Sequence, residues 1–265
     1  KYGHARIENC IFVGNPEFDS DGIDYDGIEN GVIRNTKIYN ILGNNGDAID
    51  IGEEARNVII DSVVIVNASD KGISIGQRSS VVLTNSVLVN CNMGVGVKDS
   101  SSVSINHTIF YGNGSAVSCY EKNPGRAGGN AKIRNSILSN AFDASYAVDN
   151  KSTLEVWNSM SVNTLLPAGN GNKFGNPLFV NPTIYDFTTA VNSPATGMGT
   201  NYQPIVMPPD VVICGIYMNP LNTTHPEYLA LHNPSTKSID LSGYSIDEGV
   251  TCTFPQGTNL AAGDT

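Results

Sequence analysis

The chain has 265 residues, with 15 Lys+Arg against 25 Asp+Glu, a formal charge of −10. That balance excludes the basic footprint that nucleic acid or an anionic membrane requires, and no run of residues is apolar for long enough to span a bilayer. With 27 Gly and only 15% charged residues, the composition favours tight turns over helix.

The acidity fits an extracellular or cation-binding protein, and equally it fits ordinary solubility. The chain opens on Lys1 and strand-like pattern begins almost at once, which predicts a fragment or processed product whose signal peptide, if any, is gone. Seven segments then share one register: "IENCIFVGN" (7–15), "IRNTKIYN" (33–40), "IIDSVVIVN" (59–67), "LTNSVLVN" (83–90), "INHTIFYGN" (105–113), "IRNSILSN" (133–140) and "VWNSMSVN" (156–163). Each runs apolar, variable, Asn-like, small or polar, then a β-rich stretch. The Asn-like position is Asn9, Asn35, Asp61, Asn85, His107, Asn135 and Asn158, at steps of 26, 26, 24, 22, 28 and 23 residues.

A second strand follows most of these: "DGIDYDG" (21–27), "DAIDIG" (47–52), "KGISIG" (71–76), "MGVGVK" (93–98) and "SAVSCY" (115–120). Alternation of period two is the pattern of a strand with one face inward. Units this short, with no helical stretch between them, bury their apolar faces only by stacking. The fold class predicted is all-β: a right-handed parallel β-helix of about seven coils over residues 1–200. The Asn-like column is a structural ladder, because stacked amides donate and accept along the axis and satisfy buried turns. His107 stands in that column as a structural residue, with a catalytic base as its other reading.

Residues 171–200 are richer in Pro, Gly and aromatics and are expected to form the closing coil and cap of the helix. A Pro-rich linker, "NYQPIVMPPD" (201–210), leads to a second domain at 211–265. The cysteines Cys10, Cys91, Cys119, Cys214 and Cys252 form no CxxC pair. Their odd number excludes complete internal pairing. Free thiols are expected, with Cys214–Cys252 the pairing to test.

The repeats resemble the right-handed parallel β-helix proteins of bacteria, a superfamily that includes pectate-lyase-like enzymes. The stretches "DAIDIGEEARNVIIDSVVIVNASDKGISIG" and "NMGVGVKDSSSVSINHTIFYGN" are similar to helices of large secreted bacterial proteins carrying lamin-tail and CotH-type modules. The segment "EYLALHNPSTKSIDLSGYSI" with "FPQGTNLAAGD" resembles the first half of a lamin-tail domain, an immunoglobulin-like β-sandwich. The resemblance implies a partial sandwich over 211–265, secretion or display at the cell surface, and a bacterial source. Gly215 and Ala230 stand where members of that family often carry acidic residues.

Asp24 aligns with Asp50, and Asp21 with Asp47. Like charges on stacked strands, about 4.8 Å apart, repel. A bound Ca2+ held by Asp21, Asp24, Asp47 and Asp50 would remove the repulsion. Solvated, splayed carboxylates are the other reading. One coil on, Lys71 matches Asp47, and Lys98 and Arg78 follow; Lys71 also explains the column simply by neutralising Asp47. The loop "YEKNPGRAGGNAK" (120–132) reads as a binding loop or as a flexible surface excursion.

Two functional readings result. In the first the chain is a non-catalytic stalk, matrix, fibre or adhesive segment, calcium-stabilised and associating with copies of itself or other surface proteins. In the second it is a calcium-dependent lyase or a binder of acidic polysaccharide; the lyase would use Lys71, Lys98 or Arg78 to take a sugar-ring proton. Nucleophilic triads and phosphate loops are absent from the sequence.

Overall fold

The computed structural model describes residues 3–14, 20–200, 211–217, 228–233, 237–246 and 252–265. The expected linker at 201–210 lies outside the described residues. The chain divides into two compact units, 1–205 and 206–265.

In the first unit the segments wind into three parallel sheets of seven, eight and six strands, here called I, II and III. One coil contributes one strand to each. The third coil, for example, runs Val58–Asp61 in sheet I, Val64–Ala68 in sheet II and Lys71–Ile75 in sheet III. Alternation aims one set of side chains inward, and the parallel register stacks like on like. Ile7, Ile33, Ile60, Leu83, Ile105, Ile133 and Val156 form one column in sheet I. Ile23, Ile49, Ile73, Val95 and Val117 form another in sheet III. Most of these side chains are buried, each contributing about 1.5–3 kcal/mol. The described residues contain no α-helix; Pro182–Ile184 makes a single 3-10 turn.

The coil corners explain the asparagines. Asn9, Asn35, Asn85, His107, Asn135 and Asn158 all have left-handed φ, between 42° and 57°, a conformation Asn tolerates best among residues with a side chain. Asn35 Nδ2 donates to Asn9 Oδ1 at 3.4 Å, and Asn158 Nδ2 to Asn135 Oδ1 at 2.6 Å.

The ladder needs one correction. The left-handed residue of the third coil is Ser62, not Asp61. Asp61 ends the strand, paired with Arg34 and Thr84. Its carboxylate nonetheless accepts Asn85 Nδ2 at 3.0 Å, so Asp61 supplies the rung from the neighbouring position. The same happens at His107, where Asn135 Nδ2 donates to Asn106 Oδ1 at 2.9 Å. His107 is therefore a corner residue, and the rung bypasses it. Burial works against ionisation of Asp61, but hydrogen bonds from Thr84, Asn85 and Arg34 hold its carboxyl below the usual range.

Two further ladders escaped the sequence reading. Asn67 Nδ2 donates to Asn40 Oδ1 at 2.8 Å and Asn90 Nδ2 to Asn67 Oδ1 at 3.3 Å, lining the corner between sheets II and III. Hydroxyls at Thr36, Ser86, Ser136 and Ser159 take the backbone N–H of the coil before.

The closing segment does more than cap. Leu166 joins the core at the end of the helix, and Lys173–Phe174 adds the eighth strand of sheet II. The rest folds back along the outer face of sheet II. There Val64, Val87, Ile109 and Ile137 form an apolar column, joined by Phe187, Ala195 and Met198. Tyr111 meets Phe187 at 5.0 Å between ring centroids. Sheet II is thus covered on both faces.

In the second unit the described strands pair antiparallel: Val212–Tyr217 with Tyr228–His232, Ile239–Asp240 with Asn259–Leu260, and Ser245–Ile246 with Cys252–Thr253. Gly215 and Ala230 are cross-strand partners. Asn233 is fully buried, its Nδ2 within 2.7–3.0 Å of the carbonyls of Lys237, Leu260 and Ala261. All five cysteines are free thiols, Cys91 and Cys119 buried and Cys214 and Cys252 exposed.

Candidate functional site on the outer face of sheet III

The inward positions of sheet III are apolar, so its chemistry lies on the outward columns. One runs Asp24, Asp50, Ser74, Gly96 and Ser118, and the next Asp26, Gly52, Gly76, Lys98 and Tyr120. Asp21, Asp47 and Lys71 occupy the strand entrance of the first three coils. The predicted match of Asp24 with Asp50 is thus the actual register.

Asp21 and Asp47 serve the backbone. Asp21 Oδ1 accepts the N–H of Asp47 at 2.8 Å, and Asp47 Oδ1 accepts the N–H of Lys71 at 2.9 Å. The third member of the series is Lys71. Its ammonium turns back to Asp47 Oδ1 at 3.3 Å and also contacts the carboxylate of Asp70. The side chains of Lys71 and Asp47 are only 5% and 8% exposed. Burial pushes the Asp47 carboxyl up to about 6, against the pull of Lys71. Burial pulls the Lys71 ammonium down, but Asp47 and Asp70 together lift it above the ordinary lysine value.

The four aspartates expected to share a calcium ion are not gathered as a ligand set. Among the described residues no group of three or more His, Cys, Asp or Glu side chains is placed to hold a metal. Asp24 is pushed up by partial burial and then by Asp26, Asp50, Asp21 and Glu53. The acidic repulsion inferred from the sequence is therefore present, but it is met by Lys71 at one corner only.

Lys98 is different. It is 8% exposed. Its Nζ donates to Ser74 Oγ at 2.7 Å, one coil back, and among the described residues it forms no salt bridge. Burial lowers its proton affinity, and Lys71 and Lys122 lower it further against the opposing pull of Asp50 and Asp47. Its stem lies over Gly76, where an added Cβ would stand 2.7 Å from Lys98 Cε. Lys71 runs the other way over Gly96, whose Cβ would stand 2.8 Å from Lys71 Cδ. The two glycines, Gly76 and Gly96, are the seats of the two lysines.

Arg78, the third basic candidate, is not part of this face. It occupies a left-handed corner, 59% exposed, paired with Glu54. With Glu53, Glu54, Gln77, Asp99, Asn123 and Arg126 it lines an open hollow of about 450 Å3. The loop 120–132 beside it is pinned rather than loose. The buried Asp99 accepts the N–H groups of Lys122 and Asn123 at 2.9 Å each, and Glu121 accepts those of Gly125 and Ala127 at 3.0 Å each. A larger cavity, about 820 Å3, lies between the corner residues Ser62, Asn85 and His107 and the closing segment. It is remote from both lysines in the fold.

Comparison with known proteins agrees with this architecture. Residues 2–163 match the family described as "Right handed beta helix region", and residues 207–265 match "Lamin Tail Domain". The crystal structure of pectate lyase Pel9A is similar at a TM-score of 0.52 and 14% identity, over 72% of this chain and 62% of that one. This chain therefore spans less than two thirds of that structure's length, and the likeness is one of fold. No curated protein matches the chain. Three parallel sheets, stacked apolar columns and a family match over more than half its length place the chain in the right-handed parallel β-helix family, with a lamin-tail match following it.

Proposed function

We propose that this chain is a stalk or adhesive segment of a secreted or cell-surface protein, and that it binds acidic polysaccharide along the outer face of sheet III. The observation that supports it is Lys98, a buried ammonium that donates to the Ser74 hydroxyl and, among the described residues, forms no salt bridge. A buried cation without a direct salt-bridge partner is costly. A uronate carboxylate would supply that charge through a charge-assisted hydrogen bond, with Ser74, Ser118 and Tyr120 offering hydroxyls beside it. Calcium has no assigned part in this reading.

Titrating the full chain with polygalacturonate, alginate and a neutral glucan tests it. Lys98→Gln is expected to weaken binding of the two acidic polymers at least tenfold. Equal binding of the neutral glucan, or unchanged affinity in Lys98→Gln, overturns it. Association with further copies or other surface proteins belongs to the same proposal, and light scattering over a concentration series checks the self-association.

A second reading is favoured by the lowered proton affinity of Lys98. In its unprotonated form the Lys98 amine is able to accept the C5 proton of a uronate while the C4–O bond breaks and the departing oxygen takes a proton from water, leaving an unsaturated sugar. Ultraviolet absorbance that grows with the wild-type chain on polyuronate and disappears in Lys98→Ala would replace the non-catalytic reading with a lyase.

A further inference from the structure

We infer that Lys122 is the second cation of the polysaccharide site, and that an acidic chain lies across the fourth and fifth coils of sheet III, away from the aspartates of the first two. The inference rests on the proposed binding through Lys98, and three observations carry it. First, the charges along this face are spent unevenly. Asp24 and Asp50 face outward in the first two coils, where they repel a polyanion. In the third coil the ammonium of Lys71 is taken up by Asp47 and Asp70. In the fourth and fifth coils the outward columns hold Gly96, Lys98, Ser118 and Tyr120, with no carboxylate among them.

Second, the loop that leaves Tyr120 comes back onto Lys98. Gly128 pairs with Lys98 in an antiparallel bridge. A Cβ on Gly129 would stand 2.1 Å from the carbonyl oxygen of Val97, so the loop backbone is packed against the end of the strand Met93–Lys98. Asp99, next in sequence to Lys98, is buried. It accepts the N–H of Lys122 at 2.9 Å and Nδ2 of Asn123 at 2.5 Å. Asp99 is thus a positioning residue, which fixes the first turn of the loop one residue from Lys98.

Third, the loop keeps its own acid occupied and leaves its lysine unspent. Glu121 accepts the N–H groups of Gly125 and Ala127 and pairs with Lys151. Lys122 is exposed and, among the described residues, forms no salt bridge. It is near enough to Lys98 to lower the proton affinity of that ammonium. Two ammonium groups that repel one another are relieved by two carboxylates, and a polyuronate carries one on each successive sugar.

The test is calorimetric titration of the full chain with polygalacturonate at low and at moderate salt, for wild type, Lys122→Gln, Lys122→Arg and Lys132→Gln. Lys132 is exposed on the outer face of sheet I, so its variant loses the same charge at a distant place. Lys122→Gln is expected to weaken binding by about fivefold. It is also expected to flatten the dependence of affinity on salt, because a lost ion contact releases fewer counterions. Lys122→Arg and Lys132→Gln are expected to bind as the wild type does. Wild-type affinity and salt dependence in Lys122→Gln overturn the inference and leave binding through Lys98 standing. An equal loss in Lys132→Gln overturns it too, because net charge and not position would then set the affinity. A wild-type chain that binds no polygalacturonate overturns the proposed function, and this inference with it.

Discussion

The stem of Lys98 passes directly over Gly76, so close that a methyl group there would stand 2.7 Å from Lys98 Cε. Because Cε is near the free end of a flexible chain, Gly76→Ala is expected to move the lysine rather than the strand. The cost in stability should stay within about 1–3 kcal/mol. Affinity for polygalacturonate should fall as far as it does in Lys98→Gln, since the bond to Ser74 Oγ is lost. Calorimetric titration beside a denaturant midpoint separates the two effects.

Lys98 also gives a stability test. A buried ammonium that, among the described residues, donates to a hydroxyl and forms no salt bridge is a cost to stability. Lys98→Met keeps the stem and removes the charge. It is expected to leave urea stability unchanged or to raise it by about 1 kcal/mol, while abolishing binding of acidic polymer. A loss of several kcal/mol would mean that the lysine is a structural member of the sheet.

Asp47 makes stability depend on pH in a defined direction. Its carboxyl is pushed from 3.8 up to about 6 in the folded chain, so the folded state binds a proton more tightly than the unfolded state. Its contribution is fully present below the unfolded value of 3.8 and is lost as pH rises through about 6. The shift corresponds to roughly 3 kcal/mol. Urea midpoints between pH 4 and pH 7 should show this decline in the wild type and a flatter profile in Asp47→Asn.

The second asparagine ladder separates backbone strain from hydrogen bonding. Asn67 has a φ of 63° and bonds to both Asn40 and Asn90. Asn67→Gly keeps the left-handed conformation without strain and loses only the side-chain bonds, about 1 kcal/mol. Asn67→Ala adds the left-handed penalty, for a total of roughly 2–3 kcal/mol. Equal losses in the two variants would contradict this account of the corner.

Phe187 holds the closing segment against the outer face of sheet II, in contact with Tyr111, Phe179 and Tyr185. Phe187→Ala is expected to cost about 3–5 kcal/mol and to increase binding of a hydrophobic dye. Loss of stability without dye binding would mean that the segment stays in place.

Much of this fold is written in the periodicity. The alternation in "DGIDYDG", "DAIDIG" and "KGISIG" is the sheet III register itself, and the pairing of Lys71 with Asp47 follows from it. Three things were not legible. The sheath over sheet II had a signal, the unbroken apolar runs of "SVVIVN" and "SVLVN", which mark strands buried on both faces. Period-two alternation by itself marks only one face of a strand as inward. Asp70 was missed because it lies in a turn, where periodicity carries no information. The burial of Lys98 was missed because it depends on a glycine in a different coil, a contact set by stacking rather than by neighbours in sequence.

The slip at Asp61 has a consequence for how such chains vary. A rung is defined by an oxygen in the right place, not by which residue carries it. Ser62 stands in register with Asn35, and the extra residue of that coil is absorbed earlier, at the corner between sheets III and I, where one residue is gained between the pairs Asp26–Gly52 and Glu29–Arg56, while Asp61 reaches across to Asn85. The strands on either side keep their pairing, Arg34 with Asp61 and Asp61 with Thr84. Single-residue insertions and deletions are therefore confined to the corner where they occur. A helix built this way can change the length of any one coil without disturbing the next, and so can vary its surface one coil at a time.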